Sequence, residues 1–367
     1  MVAKVSDIIN IMEAIAPVSL AEEWDNVGLQ VGGTHWPVRN IWIALDPAPD
    51  VVAQACQKDA GLLITHHPLI LQPLKSIDTG TSVGAIIQMA IQHHLAIFSA
   101  HTNLDSAAGG LNDELATRIG LNNLKVLGKP KREELYKLAL FVPVNYEQKI
   151  LAALSKTRAG RIGEYTCSFR NYGKDAFKPR PAAGNDGDIN HTEEIRVETV
   201  VKKSDIQDVV EYIRSQLPNA TIAYDIYPLI SNASDQGLGR VGDLEKSMQL
   251  SSLAEMIKKI LKIESIRIAG RPDRRVHRAA LCTGGGSSLI SSFFSSGADV
   301  FITGDIRYHD ARAVETNGLG LIDMGHFASE RLMIDVLAGR LQKILIDNGI
   351  NAKINKYEIE KDPFIIL

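Results

Sequence analysis

Short apolar runs alternate with stretches of helical periodicity through the first third of the chain. Ile8, Ile9, Met12, Ile15 and Ala16 recur at helical spacing behind Ser6 and Asp7, and Pro17 closes that helix. Ile41–Leu45 predicts a strand ending in Asp46-Pro47, Val51–Lys58 a helix, and Gly61–Thr65 a second strand. Val83–His93 reads as a helix, Leu95–Ser99 as a strand and Leu111–Ile119 as a helix. Strands alternating with helices in this way predict a parallel sheet with helices on its faces. Between the first helix and the first strand, Glu23–Gly33 carries turn formers and glycines without a chemical signature, so it reads as structural.

The texture changes near Lys129. Leu135–Val142, Tyr165–Phe169, Ile195–Val201 and Ile222–Pro228 read as strands, Tyr146–Lys156 and Ser204–Leu217 as helices, and the polar Gly173–Glu194 as a loop. That order predicts a ferredoxin-like α+β module. The α/β pattern then resumes. Leu253–Leu261 reads as a helix, Arg271–Arg278 as a solvated loop, and Ala279–Cys282, Ala298–Thr303 and Leu319–Asp323 as strands, with a helix over Arg331–Leu341. The expected fold is therefore α/β, a two-part core with parallel-type sheets and helices on their faces, interrupted by an inserted ferredoxin-like domain. The expected boundaries are 1–128 and 237–367 for the core and 129–236 for the insertion.

Composition narrows the class. A length of 367 residues suits two or three domains of ~150 residues each. A formal charge of −3 gives no electrostatic mandate for nucleic acid, and no apolar run approaches the ~18 residues of a membrane span. Three widely spaced cysteines, Cys56, Cys167 and Cys282, provide neither a disulfide framework nor a Cys-x-x-Cys metal site, and suit the reducing cytoplasm.

Chemistry concentrates where strands end. The run Leu62-Leu63-Ile64-Thr65 delivers His66 and His67, and Pro68 forbids a continuing ladder. In open α/β sheets that edge is where ligands bind. A second strand end supplies His101 and, four residues on, Asp105, a position that also suits a helix cap. A third supplies His326 and Glu330, four apart at a helix start and so on one face. His66, His67, Asp105, His326 and Glu330 are N/O donors without a thiolate. They exceed what a four-coordinate structural zinc needs and suit two divalent ions sharing a carboxylate. Zinc, iron, manganese and nickel all accept such ligation. Two glycine patterns are weaker. Gly237-Leu238-Gly239-Arg240-Val241-Gly242 imitates a dinucleotide fingerprint but follows no strand directly, and reads as a re-entry turn. Gly284–Gly286, between a strand and a helix, reads either as an anion cradle or as a packing turn.

Five segments together resemble one family. They are Trp24-Asp25-Asn26-Val27-Gly28, Thr65-His66-His67-Pro68, His101-Thr102-Asn103-Leu104-Asp105, Gly304-Asp305-Ile306-Arg307-Tyr308-His309 and Gly325-His326-Phe327-Ala328-Ser329-Glu330. In this order they are similar to the type 2 homologues of GTP cyclohydrolase I, the NGG-interacting-factor-three-like family. The resemblance implies two divalent metals on His66, His67, Asp105, His326 and Glu330, and a toroidal homohexamer with its metal sites facing inward. Phe177, Pro179 and Ala223–Leu229 resemble the PII- or CutA-like insertion of longer bacterial members, whereas Leu217-Pro218-Asn219-Ala220-Thr221 departs from it. Two readings of function follow. One is a metal-dependent hydrolase acting on a small anionic or nucleotide-like substrate, with His101, Asp305 and His309 as acid/base candidates. The other is a non-catalytic metal-binding ring that serves as scaffold or regulatory partner. Nucleic-acid binding rests only on the basic stretch Arg271–Arg278.

Overall fold

The computed structural model describes residues 2–131, 134–157, 159–162, 165–166, 168–177, 190–217, 222–229 and 236–365. The chain divides into two units, Met1–Lys131 with Asp235–Leu367, and Arg132–Ser234. The first unit begins with α1 (Val5–Ile15), β1 (Gly28–Val31), β2 (Asn40–Ala44), α2 (Pro49–Gln57) and β3 (Leu62–Thr65). It continues through α3 (Ser82–Gln92), β4 (Ala96–Ser99), α4 (Thr102–Ser106), α5 (Leu111–Ile119) and β5 (Leu121–Val126). The second unit holds β6 (Leu135–Pro143), α6 (Glu147–Leu154), β7 (Ser168–Phe177), β8 (Asn190–Lys202), α7 (Ile206–Gln216) and β9 (Ala223–Pro228). The first unit resumes with β10 (Arg240–Gln249), α8 (Leu250–Leu261), β11 (Arg267–Ala269), β12 (Arg275–Gly285), α9 (Ile290–Ser295) and β13 (Val300–Gly304). It ends with α10 (Tyr308–Thr316), β14 (Gly320–Asp323), α11 (His326–Glu330), α12 (Leu332–Asp347) and β15 (Lys353–Lys356).

Two sheets build the first unit. One runs β15-β2-β3-β4-β1, parallel except for the edge strand β1. The other runs β11-β14-β13-β12-β10-β5, with β12, β13 and β14 parallel and the outer strands antiparallel. Alternation along the strands decides the layering, because successive side chains point to opposite faces. Ile41, Ile43, Leu62 and Ile64 face one way and join Ile8, Met12, Leu337 and Leu341 in a core that also takes Val300, Ile302 and Ile322 from the second sheet. Helices α1 and α12 therefore lie in a layer shared by both sheets. On the outer faces, Ala44, Leu63 and Ile97 pack on Val51, Val52, Ile86 and Ile87 of α2 and α3, and Phe301 packs among Phe293 and Val314 of α9 and α10. Apolar demand on both faces explains why these strands read as nearly continuous hydrophobic runs.

The second unit is a four-stranded antiparallel sheet in the order β7-β8-β6-β9, packed with α6 and α7 around Leu138, Leu140, Val197, Ile150 and Ile213. This is the ferredoxin-like βαββαβ order. Strand β7 continues through Gly173–Phe177, which read as loop, because pairing with β8 satisfies its backbone whatever its side chains. Pro179 and residues 218–221 lie outside the described residues.

Two further expectations change in the first unit. Arg275–Arg278 begins β12 rather than lying in a solvated loop; Arg275 and His277 stay exposed on it, while Arg274 just before it pairs with Asp299 and Arg278 with Asp243. Strand β5 had no apolar alternation to announce it, since Asn122, Asn123 and Lys125 interrupt its one row against β10. The Gly237–Gly242 run feeds directly into β10 and opens no helix, as a re-entry turn requires. Among the described residues, no helix is long and apolar enough to cross a membrane.

Candidate metal centre

His66 and His67 leave the end of β3 with both backbone N–H groups donating to the Leu45 carbonyl, at 3.1 and 3.0 Å. The His66 ring is fully buried, and its Nδ1–H donates to the Ala100 carbonyl at 2.9 Å. That bond leaves a lone pair on Nε2 of the neutral ring. Nε2 has no hydrogen-bond partner and faces Glu330 Oε1 at 3.6 Å and Asp105 Oδ2 at 3.8 Å. Three acceptors turned toward one another in a buried place repel unless a proton or a metal cation lies among them.

Asp105 lies inside α4 rather than capping it, and is buried. Its backbone carbonyl accepts from Asn112, whose side-chain oxygen takes the Thr283 N–H at 2.9 Å, so α4, α5 and the end of β12 are tied at this point. Burial pushes the Asp105 carboxyl up to about 7. Glu330 closes α11 and serves both sides of the centre. Its Oε1 faces His66, while Oε2 stands 2.9 Å from His67 Nε2 and 2.9 Å from His326 Nε2. Burial opposes the Glu330 charge, but the surrounding imidazoles hold the carboxyl well below its usual range. The potential donor atoms fall into compact groups within 4.8 Å of one another: His66, Asp105 and Glu330; His67, His326 and Glu330; and His66, His67 and His101. The first two share Glu330. The residues present fit divalent cations. Cys282 stays a thiol beside them, because burial, with the Asp105 and Glu330 carboxylates near, pushes it strongly up.

Each imidazole is oriented through Nδ1. His67 donates to Asp46 at 2.7 Å, His326 to Asp305 at 2.7 Å and His101 to Asp25 at 2.9 Å. Such partners fix the ring orientation and tautomer of metal-binding histidines. Asp25 also accepts from the Thr102 N–H and hydroxyl, and these bonds, with His101, hold its carboxyl low against burial. The His101 ring packs edge-on at 5.0 Å from His66 and 5.5 Å from His67. Asp305 adopts φ +47°, a left-handed backbone that aims its carboxylate at His326. His309 stands on the exposed first turn of α10, its ring against Tyr308, and joins none of these groups.

Three contributors have no role in the centre that the sequence alone assigns: Asp46, Asp25 and Gly284. Asp46 is placed by strand pairing: Ala44 pairs with Thr65 in parallel register, so Asp46 and His67 each lie two residues beyond a matched pair. Asp25 has no such pairing behind it, being 76 residues from the His101 it orients. Gly284, read as a cradle or packing turn, places its Cα against Glu330 and gives its N–H to Ser329 Oγ at 2.9 Å.

The family model described as Duf34/NIF3 (NGG1p interacting factor 3) matches residues 3–363. The chain belongs to this family. Relatives within it include the GTP cyclohydrolase 1 type 2 homolog of Bacillus subtilis, 36% identical over 98% of both chains, and that of Halalkalibacterium halodurans, 35% identical over 100% of both. Among solved structures, a Bacillus cereus protein related to NIF3 superposes with a TM-score of 0.80 at 37% identity, covering 100% of each chain. A Staphylococcus aureus protein does so with a TM-score of 0.75 at 29% identity, covering 100% of this chain and 99% of its own. The α/β architecture of this chain is thus the NIF3 fold.

One pH dependence follows from the geometry. Burial works against protonated His67, but its bonds to Asp46 and Glu330 raise it to about 10, and Glu330 above all raises His326 to about 9. In the metal-free protein both rings therefore keep a proton at neutral pH, and Asp105 keeps part of one. A ligand binds metal only after losing that proton, so apparent affinity rises as pH rises toward 9 to 10 and falls on acidification. Calorimetric zinc titrations in buffers of differing ionisation enthalpy are expected to show release of between about two and three protons per chain near neutrality. Affinity independent of pH would contradict this proton inventory.

Proposed function

We propose that this protein is a hydrolase that holds two divalent ions, one among His66, Asp105 and Glu330 and one among His67, His326 and Glu330, and acts on a small anionic or nucleotide-like substrate. The observation that carries the reading is the buried, unpartnered His66 Nε2 turned onto two carboxylate oxygens. A bound divalent pair supplies an activated water and polarises a scissile group. The chain's own residues supply the rest. His101 is the best-placed acid/base group, because Asp25 fixes its ring and the ring reaches the His66–His67 side of the centre. Asp305 acts through the His326 ring it orients, whereas His309, exposed on α10 against Tyr308, belongs to none of the donor groups and is the weakest of the three candidates. Relatives named GTP cyclohydrolase 1 type 2 homolog are in keeping with a nucleotide-like substrate.

The test is turnover by protein loaded separately with zinc, iron(II), manganese or nickel, across nucleotides, formamides and phosphoesters. Hydrolysis should depend on added metal, and His101→Ala should lower turnover far more than metal content. A fully loaded protein inactive on the whole panel would replace this reading by the non-catalytic metal-binding ring. We infer further that the chain works as a homo-oligomer, a hexameric ring as the family resemblance implies. Ile359, Phe364 and Ile365 leave apolar surface for contacts between copies. The buried free thiols Cys56 and Cys282 suit a cytoplasmic setting. The pairing of Arg271, Arg274 and Arg278 with nearby aspartates leaves little basic field for nucleic acid.

A further inference from the structure

Trp24 is 58% exposed, an unusual state for the largest apolar side chain, whereas Trp36 and Trp42 are partly buried against the core. Its neighbour in the chain is nevertheless anchored. The next residue, Asp25, donates its N–H to the Glu22 carbonyl and accepts from Thr102 and His101 with its carboxylate. The indole meets the His101 ring in a T-shaped contact, with centroids 5.8 Å apart and planes at 77°. His101 in turn stands edge-on to His66 and His67. A solvent-open indole, next to the anchored Asp25, thus lies one ring away from the histidine cluster.

We propose that Trp24 is a stacking platform for a nucleobase, so that a bound nucleotide lays its heterocycle on the indole and directs its anionic part toward the metal centre. The proposal rests on the metal-dependent reading above and narrows its substrate class. An exposed π face offers no hydrogen-bond code, so it selects a flat ring rather than one particular base. Cations held by the histidine and carboxylate groups beyond His101 would select an anionic group. A nucleoside phosphate joins the two. The fixed backbone of Asp25 means that little ordering of the platform is needed on binding.

The experiment uses the full chain, metal-loaded, as wild type, Trp24→Phe and Trp24→Ala. Binding of the monophosphates of guanosine, adenosine and uridine is compared with that of ribose 5-phosphate, by equilibrium dialysis and by tryptophan emission. Metal content and sedimentation are measured on the same samples. At least one nucleotide should bind roughly tenfold or more tightly than ribose 5-phosphate and quench emission, the size expected of one base–aromatic stack. Trp24→Ala should reduce that nucleotide to the level of ribose 5-phosphate, and Trp24→Phe should keep most of the preference, with metal content unchanged in both. Nucleotides that bind loaded wild type no better than ribose 5-phosphate would overturn the proposal, as would full nucleotide affinity in Trp24→Ala. A change of sedimentation in Trp24→Ala without a change in binding would assign the indole to a contact between copies and equally overturn it. Failure of the hydrolase reading looks different: ring-dependent binding would persist without turnover, or the metal would be absent from wild type.

Discussion

Glu330→Gln is expected to abolish metal binding at both donor groups proposed above, although it replaces only one oxygen with an amide nitrogen. The reason is the division of labour within that carboxylate. Oε1 faces His66, and Oε2 is shared between His67 and His326, so Glu330 is the one side chain common to the two donor groups that contain carboxylates. A glutamine presents an acceptor to one group and an NH₂ donor to the other, and the neutral amide no longer offsets the charge of a cation. Removing an outer partner of a metal ligand typically weakens binding 10- to 100-fold, so loss of a side chain common to both donor groups should cost on the order of a hundredfold or more. Asp305→Asn supplies the contrast. It touches only the outer nitrogen of His326 and should weaken one position by roughly tenfold. Elemental analysis after gel filtration, repeated against a graded chelator, reads both variants, with circular dichroism confirming the fold. Wild-type loading in Glu330→Gln would remove this constellation.

The parts of that centre differ in how visible they are along the chain, and the differences are physical. His66 and His67 were legible because a buried strand must be apolar, and Thr65-His66-His67-Pro68 ends one abruptly. His326 and Glu330 were legible because helical spacing is short-range: four residues apart they meet at 2.9 Å whatever the rest of the fold does. Asp46 needed the pairing of β2 with β3, and Asp25 needed the whole path from the end of α1 to the start of α4. Orienting carboxylates are set by tertiary placement, and an aspartate in a turn looks the same along the chain whether or not an imidazole lies across from it. The same limit acted on the fold. Strands with apolar faces, β2, β3, β4, β13 and β14, were expected within a residue or two of where they lie. Strand β5 and the far end of β7 were not, since backbone pairing with a neighbour holds them rather than any pattern of their own.

Gly284 shows the most economical way in which the fold protects the centre, and Gly284→Ala should disable it. A Cβ at this position would stand 2.1 Å from Glu330 Oε1 and 3.1 Å from its Cδ, well inside contact distance. The backbone has nowhere to retreat. Its N–H is held by Ser329 Oγ, the preceding Thr283 N–H by Asn112, and the Gly284 carbonyl accepts from Thr303. The carboxylate must therefore move, and it can do so only by leaving the His66 side of the centre. Gly284 also sits at φ +63°, a left-handed conformation that costs an alanine roughly 1–2 kcal/mol. Destabilisation of that modest size is expected in thermal unfolding, together with loss of metal comparable to that of Glu330→Gln. Gly285→Ala is the matched control. Its Cβ would meet nothing closer than Asp305 Cβ at 4.0 Å, so its metal content should equal that of wild type. If Gly284→Ala kept wild-type loading and affinity, Glu330 would have freedom that the packing around it denies, and the shared carboxylate would have to be abandoned as the hinge of the site.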